Sequence, residues 1–442
     1  MTSYNNFQKT YKLTPHSPLI HFQWDSDHAA LRATEVKPKL DRYIVKHYGK
    51  IPERWKKDDI NGKISLNYKM RIVADENNET IDLGSTPYDI FYGNMGENTP
   101  IKKGVMNKST LTITCFHADL LKYIDEIIGD FFIVTNFGTM QSKGFGSFTV
   151  DGKENSINHI YDVLRKEYTS GGYCYCFKPK DKNLIFNQIK MVYSLIKSGH
   201  NLSRDGKYPR NNIVNEKDYS SLYYHRSLLY QYVRIMEKND KAVNMGNEKA
   251  WMKQKGIVPK LNASGYYVEQ NDNYSRYVRA LLGIGERIEY LKEKPAKGKK
   301  IKKETVTITE QPEGKDEKEK KAKKIERLNS PILFKVINDR VYFVGCEPNE
   351  NIYGKRFSFA SSMKRRGMTL CVPQKGELSD NFMNEFMEYC AKELNKYFKE
   401  VREYFDALKL YNSNEYLNLS KYEQDFRNTA NITILRGKIK SE

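Results

Sequence analysis

Apolar and polar residues alternate over residues 64–74, where Ile64, Leu66, Tyr68, Met70 and Ile72 are separated by polar side chains. This period of two predicts a half-buried strand. A second strand is predicted over residues 111–115, where apolar residues alternate with threonines. The early part of the chain is therefore expected to form a sheet with one face on a core.

A helix is predicted directly after the second strand, because the apolar residues fall on one helical face, at positions 120, 121, 124, 127 and 128. Gly129 is expected to end it in a left-handed conformation. The apolar run 131–135 then predicts a strand, and residues 145–150 predict another after a glycine-rich loop. This order is typical of half of a ferredoxin-like βαββαβ domain, which we expect over residues 1–152 of an α+β protein.

The remainder, residues 153–442, is expected to form a second domain. Helical periodicity at 186–197, 222–238 and 274–292 predicts a helical region over about 180–292. A β-hairpin is predicted from strands at 331–336 and 340–345 with a turn at Asn338-Asp339. Residues 382–408 have the spacing of one long amphipathic helix, whose aromatic side chains are expected to lie in the core.

The chain carries a formal net charge of +19, which favours a polyanionic partner such as a nucleic acid. Residues 292–324 hold 13 basic and 7 acidic residues, and we expect them to be a disordered connector. The rest of the chain still has a net charge of +13, so the basic character extends to the folded part.

Neither a signal peptide nor an apolar run of about 18 residues is present in the sequence, so we expect a cytoplasmic protein without a membrane partner. The six cysteines include one close pair, Cys174 and Cys176, and lack the spacing of a disulfide framework or a zinc site. No metal and no cofactor are therefore expected.

Two segments are candidates for binding phosphate. The loop 136–146 contains Gly138, Gly144 and Gly146, which leave room for backbone amides to approach an anion, and Lys143 adds a cation. An ordinary glycine-rich turn between strands is the alternative. Residues 31–48 place cations around the start of a helix, where free N–H groups also favour an anion; these are Arg32, Lys37, Lys39 and Arg42. A solvated basic helix end is the alternative there.

Three segments resemble the RAMP superfamily of CRISPR-associated proteins and occur in the same order as in that superfamily. They are the opening LTPHSPLIHF, the basic LRATEVKPKLDRY, which is similar to "LRxxxLKGxLR", and the loop GTMQSKGFGSF, which is similar to "GxxxxxGFGS". The downstream pieces YVRALLGIGE and RLNSPILFKV look like the second half of the large RAMP subunit at the head of type III-B, or Cmr, effectors. The chain departs from the family pattern at Pro38 and in having only Lys143 as a cation in the loop.

The resemblance implies two ferredoxin-like (RRM-like) RAMP domains with glycine-rich loops, in a non-catalytic subunit that binds guide RNA and helps to assemble an antiviral ribonucleoprotein. Its partners would be the CRISPR guide RNA (crRNA), target RNA and other effector subunits. The positions that it assigns to RNA contact are Lys37, Lys39, Arg42, Lys143, Gly144 and Gly146, and we add Arg32, Gly138 and Phe145 from the same two segments as candidate RNA-binding residues.

The alternative is a RAMP-family endoribonuclease that works without metal. Such cleavage needs a general acid and base, commonly histidine. His16, His21 and His28 cluster near Asp25 and Asp27, but their spacing matches no defined acid–base arrangement. Whether the chain is an enzyme stays open, with the non-catalytic reading favoured.

Overall fold

The structure is a computed structural model. It describes residues 7–20, 30–60, 63–75, 79–82, 103–201, 224–238, 248, 252, 276–285, 287–291, 303–311, 330–361, 367–419 and 421–437. The chain divides into two compact units. The first comprises Met1–Ile189, Leu333–Val344 and Leu435–Glu442, and the second comprises Lys190–Ile332 and Gly345–Ile434.

Helices and strands are mixed along the chain, as expected of the α+β class. The helices are α1 (Ala33–Tyr48), α2 (Ala118–Val134), α3 (Ile157–Tyr168), α4 (Ile185–Lys197), α5 (Leu228–Lys238), α6 (Phe382–Tyr411), α7 (Ser413–Leu417) and α8 (Lys421–Thr429). The strands are β1 (Gln8–Pro15), β2 (Lys56–Ile60), β3 (Lys63–Leu66), β4 (Lys69–Ala74), β5 (Glu79–Asp82), β6 (Lys103–Met106), β7 (Ser109–Thr114), β8 (Phe148–Val150), β9 (Tyr175–Phe177), β10 (His200–Asn201), β11 (Tyr224–His225), β12 (Arg287–Leu291), β13 (Lys303–Glu310), β14 (Ile332–Ile337), β15 (Arg340–Gly345), β16 (Arg356–Ser361), β17 (Gly367–Cys371) and β18 (Leu435–Arg436).

The first sheet has the antiparallel order β4-β7-β1-β8. Its inward side chains, such as Leu13, Leu111 and Ile113, share one core with the buried faces of α1 and α2. In α1 these inward residues are Val36, Leu40 and Ile44, which are all fully buried. Helices α1 and α2 therefore lie on one side of this sheet.

The predicted end of α2 at Gly129 and the predicted strand at 131–135 are both wrong, because α2 continues to Val134. A Cβ atom at Gly129 would lie 3.0 Å from Cβ of Lys153. The absence of a side chain at Gly129 therefore lets Lys153 pack closely against α2. The residues that follow it, Phe131–Val134, are all buried and extend the packed part of the helix.

The predicted strand at 64–74 is divided into two strands, β3 and β4, which belong to different sheets. The break falls at Asn67, whose N–H donates to the carbonyl of Trp55. Tyr68, next to this break, is also buried. The apolar–polar alternation in the sequence therefore continues across the bend between β3 and β4. The strand predicted at 145–150 is limited to β8, Phe148–Val150.

The second sheet of the first unit has the order β14-β15-β9-β18. The predicted hairpin is confirmed in β14 and β15, and its turn residues Asn338 and Asp339 both have positive φ values, of 49° and 60°. The two four-stranded sheets of this unit share one strand order. If the four strands of each sheet are numbered in chain order, both sheets have the spatial order second, third, first, fourth.

The second unit contains the antiparallel sheet β12-β13-β16-β17. Its strand β13 lies inside the predicted connector 292–324, so the prediction of disorder is wrong for Lys303–Glu310. Val306 and Ile308 are buried there, which explains why these eight residues form a strand between charged neighbours. Residues 292–302 and 312–324 lie outside the described residues.

Helical periodicity was misleading at 274–292, because this segment contains a short 3-10 turn, Val278–Leu282, followed by β12. The predictions at 186–197 and 382–408 are confirmed by α4 and α6. The apolar face of α6 is buried along its whole length, from Phe382 to Leu408. The prediction at 222–238 is confirmed in part by α5, which begins at Leu228.

Candidate nucleic-acid interface

The candidate cations at the start of α1 and along it lie in different environments. Lys37 turns inward: its Nζ lies 2.8 Å from Oδ2 of Asp41, donates to the carbonyl of Leu66 at 3.0 Å and sits 4.2 Å from the ring centre of Tyr68. Arg42 is exposed on the helix surface. Arg32 is the exposed N-cap residue, with extended backbone angles.

Lys39 joins α1 to the glycine loop. Its Nζ donates to Oε1 of Glu35 at 3.0 Å, to the carbonyl of Asn136 at 2.9 Å and to Oε1 of Gln141 at 3.1 Å. Burial lowers the pKa of the Lys39 amine, although the charge of Glu35 acts in the opposite direction. Glu35 also accepts the N–H of Gly138 at 2.7 Å. The structure thus brings together the two segments that the sequence singles out.

A cleft of about 280 Å³ opens where α1 meets the residues at the end of α2 and the start of the glycine loop. Its lining combines the three cations Lys39, Arg42 and Lys46 with Tyr43 and other polar groups, namely Thr135, Asn136, Gln141, Glu167 and Tyr168. The charges are partly compensated, since Nζ of Lys46 lies 2.7 Å from Oε1 of Glu167. The cleft remains basic and can accept an anion.

Lys46, Glu167, Tyr43 and Tyr168 are cleft residues that the sequence reasoning missed. Lys46 could have been found, because it lies seven residues after Lys39 and four after Arg42, which places the three cations on one helical stripe. Glu167 and Tyr168 come from the end of α3, and nothing local in the sequence connects that helix to α1.

The glycines of the loop are required by packing inside the protein. A Cβ atom at Gly146 would lie 1.9 Å from the carbonyl oxygen of Phe137, and one at Gly138 would lie 2.5 Å from that of Ile20. At Gly144 a Cβ atom would meet Val336 at 3.2 Å and Ile189 at 3.3 Å. All three glycines also have positive φ values, between 66° and 83°.

Several loop amides already have acceptors within the protein. The N–H of Thr139 donates to Ile20, that of Lys143 to Met140, that of Gly144 to Gln141 and that of Gly146 to Pro18, all through backbone carbonyls. Phe145 is buried and stacks on Phe186 with 4.0 Å between ring centres. Lys143 forms a parallel bridge with Phe334 of β14. In this conformation the loop therefore shapes one wall of the interface, and side chains supply its charge.

His16 is the one member of the predicted histidine cluster that lies within the described residues, since His21 and His28 fall outside them. Its Nε2 lies 2.7 Å from Oγ1 of Thr149, and its Nδ1 accepts the N–H of Asn338 at 3.4 Å. Burial, followed by the charge of Lys335, lowers the pKa of His16 to about 4. These contacts tie the end of β1 to β8 and to the hairpin turn, and Asp25 and Asp27 of the predicted cluster lie outside the described residues.

His16 should make the fold sensitive to acid. Its pKa is about 4 in the folded protein and near 6.5 when unfolded, so the unfolded chain binds the extra proton between these values and stability falls as the pH drops from about 6.5 to 4. His16→Gln should reduce this pH dependence. Urea unfolding of both proteins at pH 4.5 and pH 7 measures it, and an equal loss of stability in the two proteins would contradict the lowered pKa of His16.

Among the described residues there is no cluster of three or more acidic, histidine or cysteine side chains that could hold a metal ion. None of the six cysteines, which all lie within the described residues, forms a disulfide. No helix within the described part of the chain is both long and apolar enough to cross a membrane.

The chain matches two family models, one for each half. The Cmr1 N-terminal domain matches residues 6–200, and the Cmr1 C-terminal domain matches residues 224–413. No curated protein sequence matches the chain. Among solved structures, the crystal structure of Cmr1 from Pyrococcus furiosus in its apo form is similar, with 9% sequence identity over 88% of this chain and 97% of that chain, and a TM-score of 0.34.

The two domain matches place the chain in the class of RAMP-like subunits of type III-B, or Cmr, CRISPR effector complexes. Within that class, the chain belongs to the Cmr1 family. The resemblance found in the sequence is confirmed, and the partners that follow from membership are other subunits of the effector complex.

Proposed function

We propose that this protein is a non-catalytic subunit that binds the guide RNA and helps to assemble a type III-B effector in the cytoplasm. The observation that carries this proposal is the basic cleft beside the glycine loop, where Lys39, Arg42 and Lys46 line one wall. A protein with a net charge of +19 attracts RNA, and a cleft with clustered cations gives the phosphate backbone a defined place to bind.

The three cations of the cleft have different roles in this proposal. Lys39 is held by Glu35, Asn136 and Gln141, so it fixes the shape of the cleft. Lys46 shares its charge with Glu167. Arg42 is exposed, and its guanidinium group can bind a phosphate through two parallel hydrogen bonds, which makes it the principal RNA contact.

The remaining residues that the sequence assigns to RNA contact act around this cleft. Arg32 is the exposed N-cap of α1, Lys143 lies in the loop with its Nζ buried, and Lys37 supports α1 through Asp41. The glycines and Phe145 set the path of the loop by close packing. We propose these as supporting positions, with phosphate contact concentrated on Arg42.

We also propose that the chain contains two ferredoxin-like RAMP domains, over residues 1–152 and 153–442. The common strand order of the two sheets, second, third, first, fourth, supports this, because it is the order of a βαββαβ sheet. The intervening helices agree in the first sheet, with α1 after β1 and α2 after β7.

The experiment that tests the function is isolation of the tagged protein from cells that express the complete CRISPR system, followed by RNA sequencing and identification of the copurified proteins. Guide RNA and effector subunits should accompany the wild-type protein. If the effector subunits copurify after nuclease treatment but the isolated chain retains no RNA, the protein is an assembly subunit alone and the RNA-binding part of the proposal is wrong.

Arg42→Gln is expected to weaken binding of single-stranded RNA and to flatten the dependence of log affinity on log salt by about 0.7, the value for one lost phosphate contact. Filter binding across a salt series measures both quantities. Lys122→Gln is the matched control: Lys122 is exposed on a helix, and it lies 12 residues before Val134, or about 18 Å along α2 from the cleft. Equal slopes for the two variants would remove Arg42 from the RNA site.

The nuclease alternative gains no support from His16, which is half-buried and hydrogen-bonded within the protein and has a lowered pKa. Incubation of the purified protein with labelled repeat RNA in the presence of a chelator separates the two functions. Intact RNA is the expected result, and cleavage that His16→Gln abolishes in a folded protein would establish the nuclease instead.

A further inference from the structure

The side of the first sheet that faces away from α1 and α2 carries a regular set of polar side chains. Side chains alternate across a strand, and Tyr11, Leu13, Leu111 and Ile113 point toward the core. The residues between them therefore point to the other side. In register, they form three rows across β4, β7 and β1: Lys69, Thr114 and Gln8; Arg71, Thr112 and Thr10; Val73, Thr110 and Lys12. These nine residues are called the threonine face below.

Each threonine of the central strand β7 has a cation beside it. Lys69 is the cross-strand partner of Thr114, Arg71 is that of Thr112, and Lys12 donates to Oγ1 of Thr110 at 2.9 Å. All three cations are exposed. Successive rows are about 6.7 Å apart, because they are two residues apart along a strand. The face thus repeats the same pair, a hydroxyl and a cation, along one direction.

None of the nine positions of the threonine face is acidic. Asp75 follows β4 and Asp151 follows β8 at the Val73 end of the face, whereas Asp119, beyond Thr114 at the opposite end, is paired with Arg54. The opposite end, with Lys69 and Arg71, is therefore the more positive one. A repeating anion with hydroxyl groups between its charges fits this arrangement, since threonine hydroxyls both donate and accept hydrogen bonds. RNA, with its phosphates and 2′-hydroxyl groups, has this chemistry.

An exposed aromatic pair adjoins the positive end. Phe7 and Phe116 are 45% and 78% exposed, and their ring centres are 5.7 Å apart. The N–H of Cys115 donates to the carbonyl of Phe7, so the pair continues the β1–β7 ladder beyond the row of Lys69 and Thr114. Exposed aromatic rings at the end of a basic surface are a platform on which a base of a single strand can stack.

We propose that the threonine face binds a segment of single-stranded RNA, with phosphates on Lys69 and Arg71, sugar hydroxyls on the threonines and one base stacked on Phe116. The site differs from the cleft, because the cleft is lined by α1 and the threonine face is on the opposite side of the sheet. Binding is largely independent of base sequence, since the contacts are to the backbone and to one aromatic ring. The proposal rests on RNA binding by this chain but not on the cleft as its location.

The test compares the full-length wild-type protein with Lys69→Gln/Arg71→Gln and with Phe116→Ala in binding to an oligouridine of about 20 nucleotides. The double variant should flatten the salt slope by about 1.4, for two lost contacts to a single strand. Phe116→Ala should weaken binding roughly 5-fold to 150-fold, the range for one stacked base, and leave the salt slope unchanged. Lys122→Gln/Lys180→Gln removes the same charge from exposed positions elsewhere and serves as the control.

The result that would overturn the proposal is a slope change in Lys69→Gln/Arg71→Gln no larger than that of the control. Failure of effector subunits to copurify with this variant, with its RNA affinity intact, would also overturn it and make the face a protein interface. Arg42→Gln in the same series keeps the two sites distinguishable. If only Arg42→Gln changes the slope, the threonine face fails alone, and if only the double variant changes it, the cleft fails alone.

Discussion

Gly146→Ala is expected to destabilise the first unit by about 2–5 kcal/mol, more than alanine at another glycine with positive φ. Its φ of 66° alone costs an L-residue about 1–2 kcal/mol. A Cβ atom would also lie 1.9 Å from the carbonyl oxygen and 2.7 Å from the carbonyl carbon of Phe137, so the backbone itself has to move, which adds an overpacking cost of about 1–3 kcal/mol or more. Phe137 is fully buried against Phe132 and Phe148, and this movement disturbs the core.

Gly152 provides the matched control, because it has a similar φ of 77° and a Cβ atom there meets nothing within 4 Å. Gly152→Ala is expected to cost only about 1–2 kcal/mol, the conformational part of the effect. Urea unfolding followed by tryptophan fluorescence measures both variants, since Trp55 lies in the same core. Similar midpoints for the two variants would show that the contact between Gly146 and Phe137 is not tight.

The glycine loop shows what sequence could and could not predict here. Its position in the chain and its family follow from the motif, but the contact of Lys39 with the loop was not predicted. What the glycines face could not be predicted, because the atoms that contact Gly138, Gly144 and Gly146 come from distant parts of the chain. One consequence is that Gly144→Val would disturb packing against Val336 and Ile189, so it cannot serve as a selective test of RNA binding.

The errors in secondary structure have a related cause. The apolar run at 131–135 reads equally well as a buried strand or as the last turn of a buried helix, and local periodicity does not separate the two. Packing decides it, because Gly129 allows α2 to pass close to Lys153. Likewise, composition suggested a disordered connector at 292–324. Within it, however, β13 pairs with β12 and β16, and its side chains Val306 and Ile308 are buried.

The site was predicted in part for similar reasons. A helical stripe is a local signal, so Lys39 and Arg42 could be selected from the sequence, and Lys46 could have been added. Glu167 and Tyr168 reach the cleft only through the packing of α3. The residues of the threonine face on β4 and β7 could also have been predicted, because the alternation of side chains in these two strands is visible in the sequence. The pairing of each threonine with a cation, however, depends on the register.

Lys335 is a buried lysine that caps α2 from the hairpin, and its removal is expected to have the second large effect. Its side chain is almost fully buried, and Nζ donates to the carbonyls of Phe132 and Thr135, each at 2.7 Å. These carbonyls belong to the end of the helix, where no intrahelical donor is available. Lys335→Met keeps the length of the side chain but leaves both carbonyls without this donor, at a cost of about 1–3 kcal/mol each.

We therefore expect Lys335→Met to lower the free energy of unfolding by about 2–4 kcal/mol, since added apolar burial offsets part of the loss. Lys63→Met is the control, because Lys63 is exposed on β3 in the same unit. Urea unfolding with tryptophan fluorescence compares the two variants with the wild type. A loss no larger in Lys335→Met than in Lys63→Met would mean that water or other donors satisfy the end of α2.

The pH dependence of this difference tests the state of the amine. Burial, followed by the charge of Lys39, holds the pKa of Lys335 well below its ordinary value of 10.5. Between the lowered pKa and 10.5 the unfolded chain binds the proton and the folded protein does not, so the stability of the wild type rises with pH in this window. Lys335→Met lacks this contribution. The difference in stability between wild type and variant should therefore increase as the pH rises toward 10.5, and a constant difference would show that the buried amine keeps an ordinary pKa.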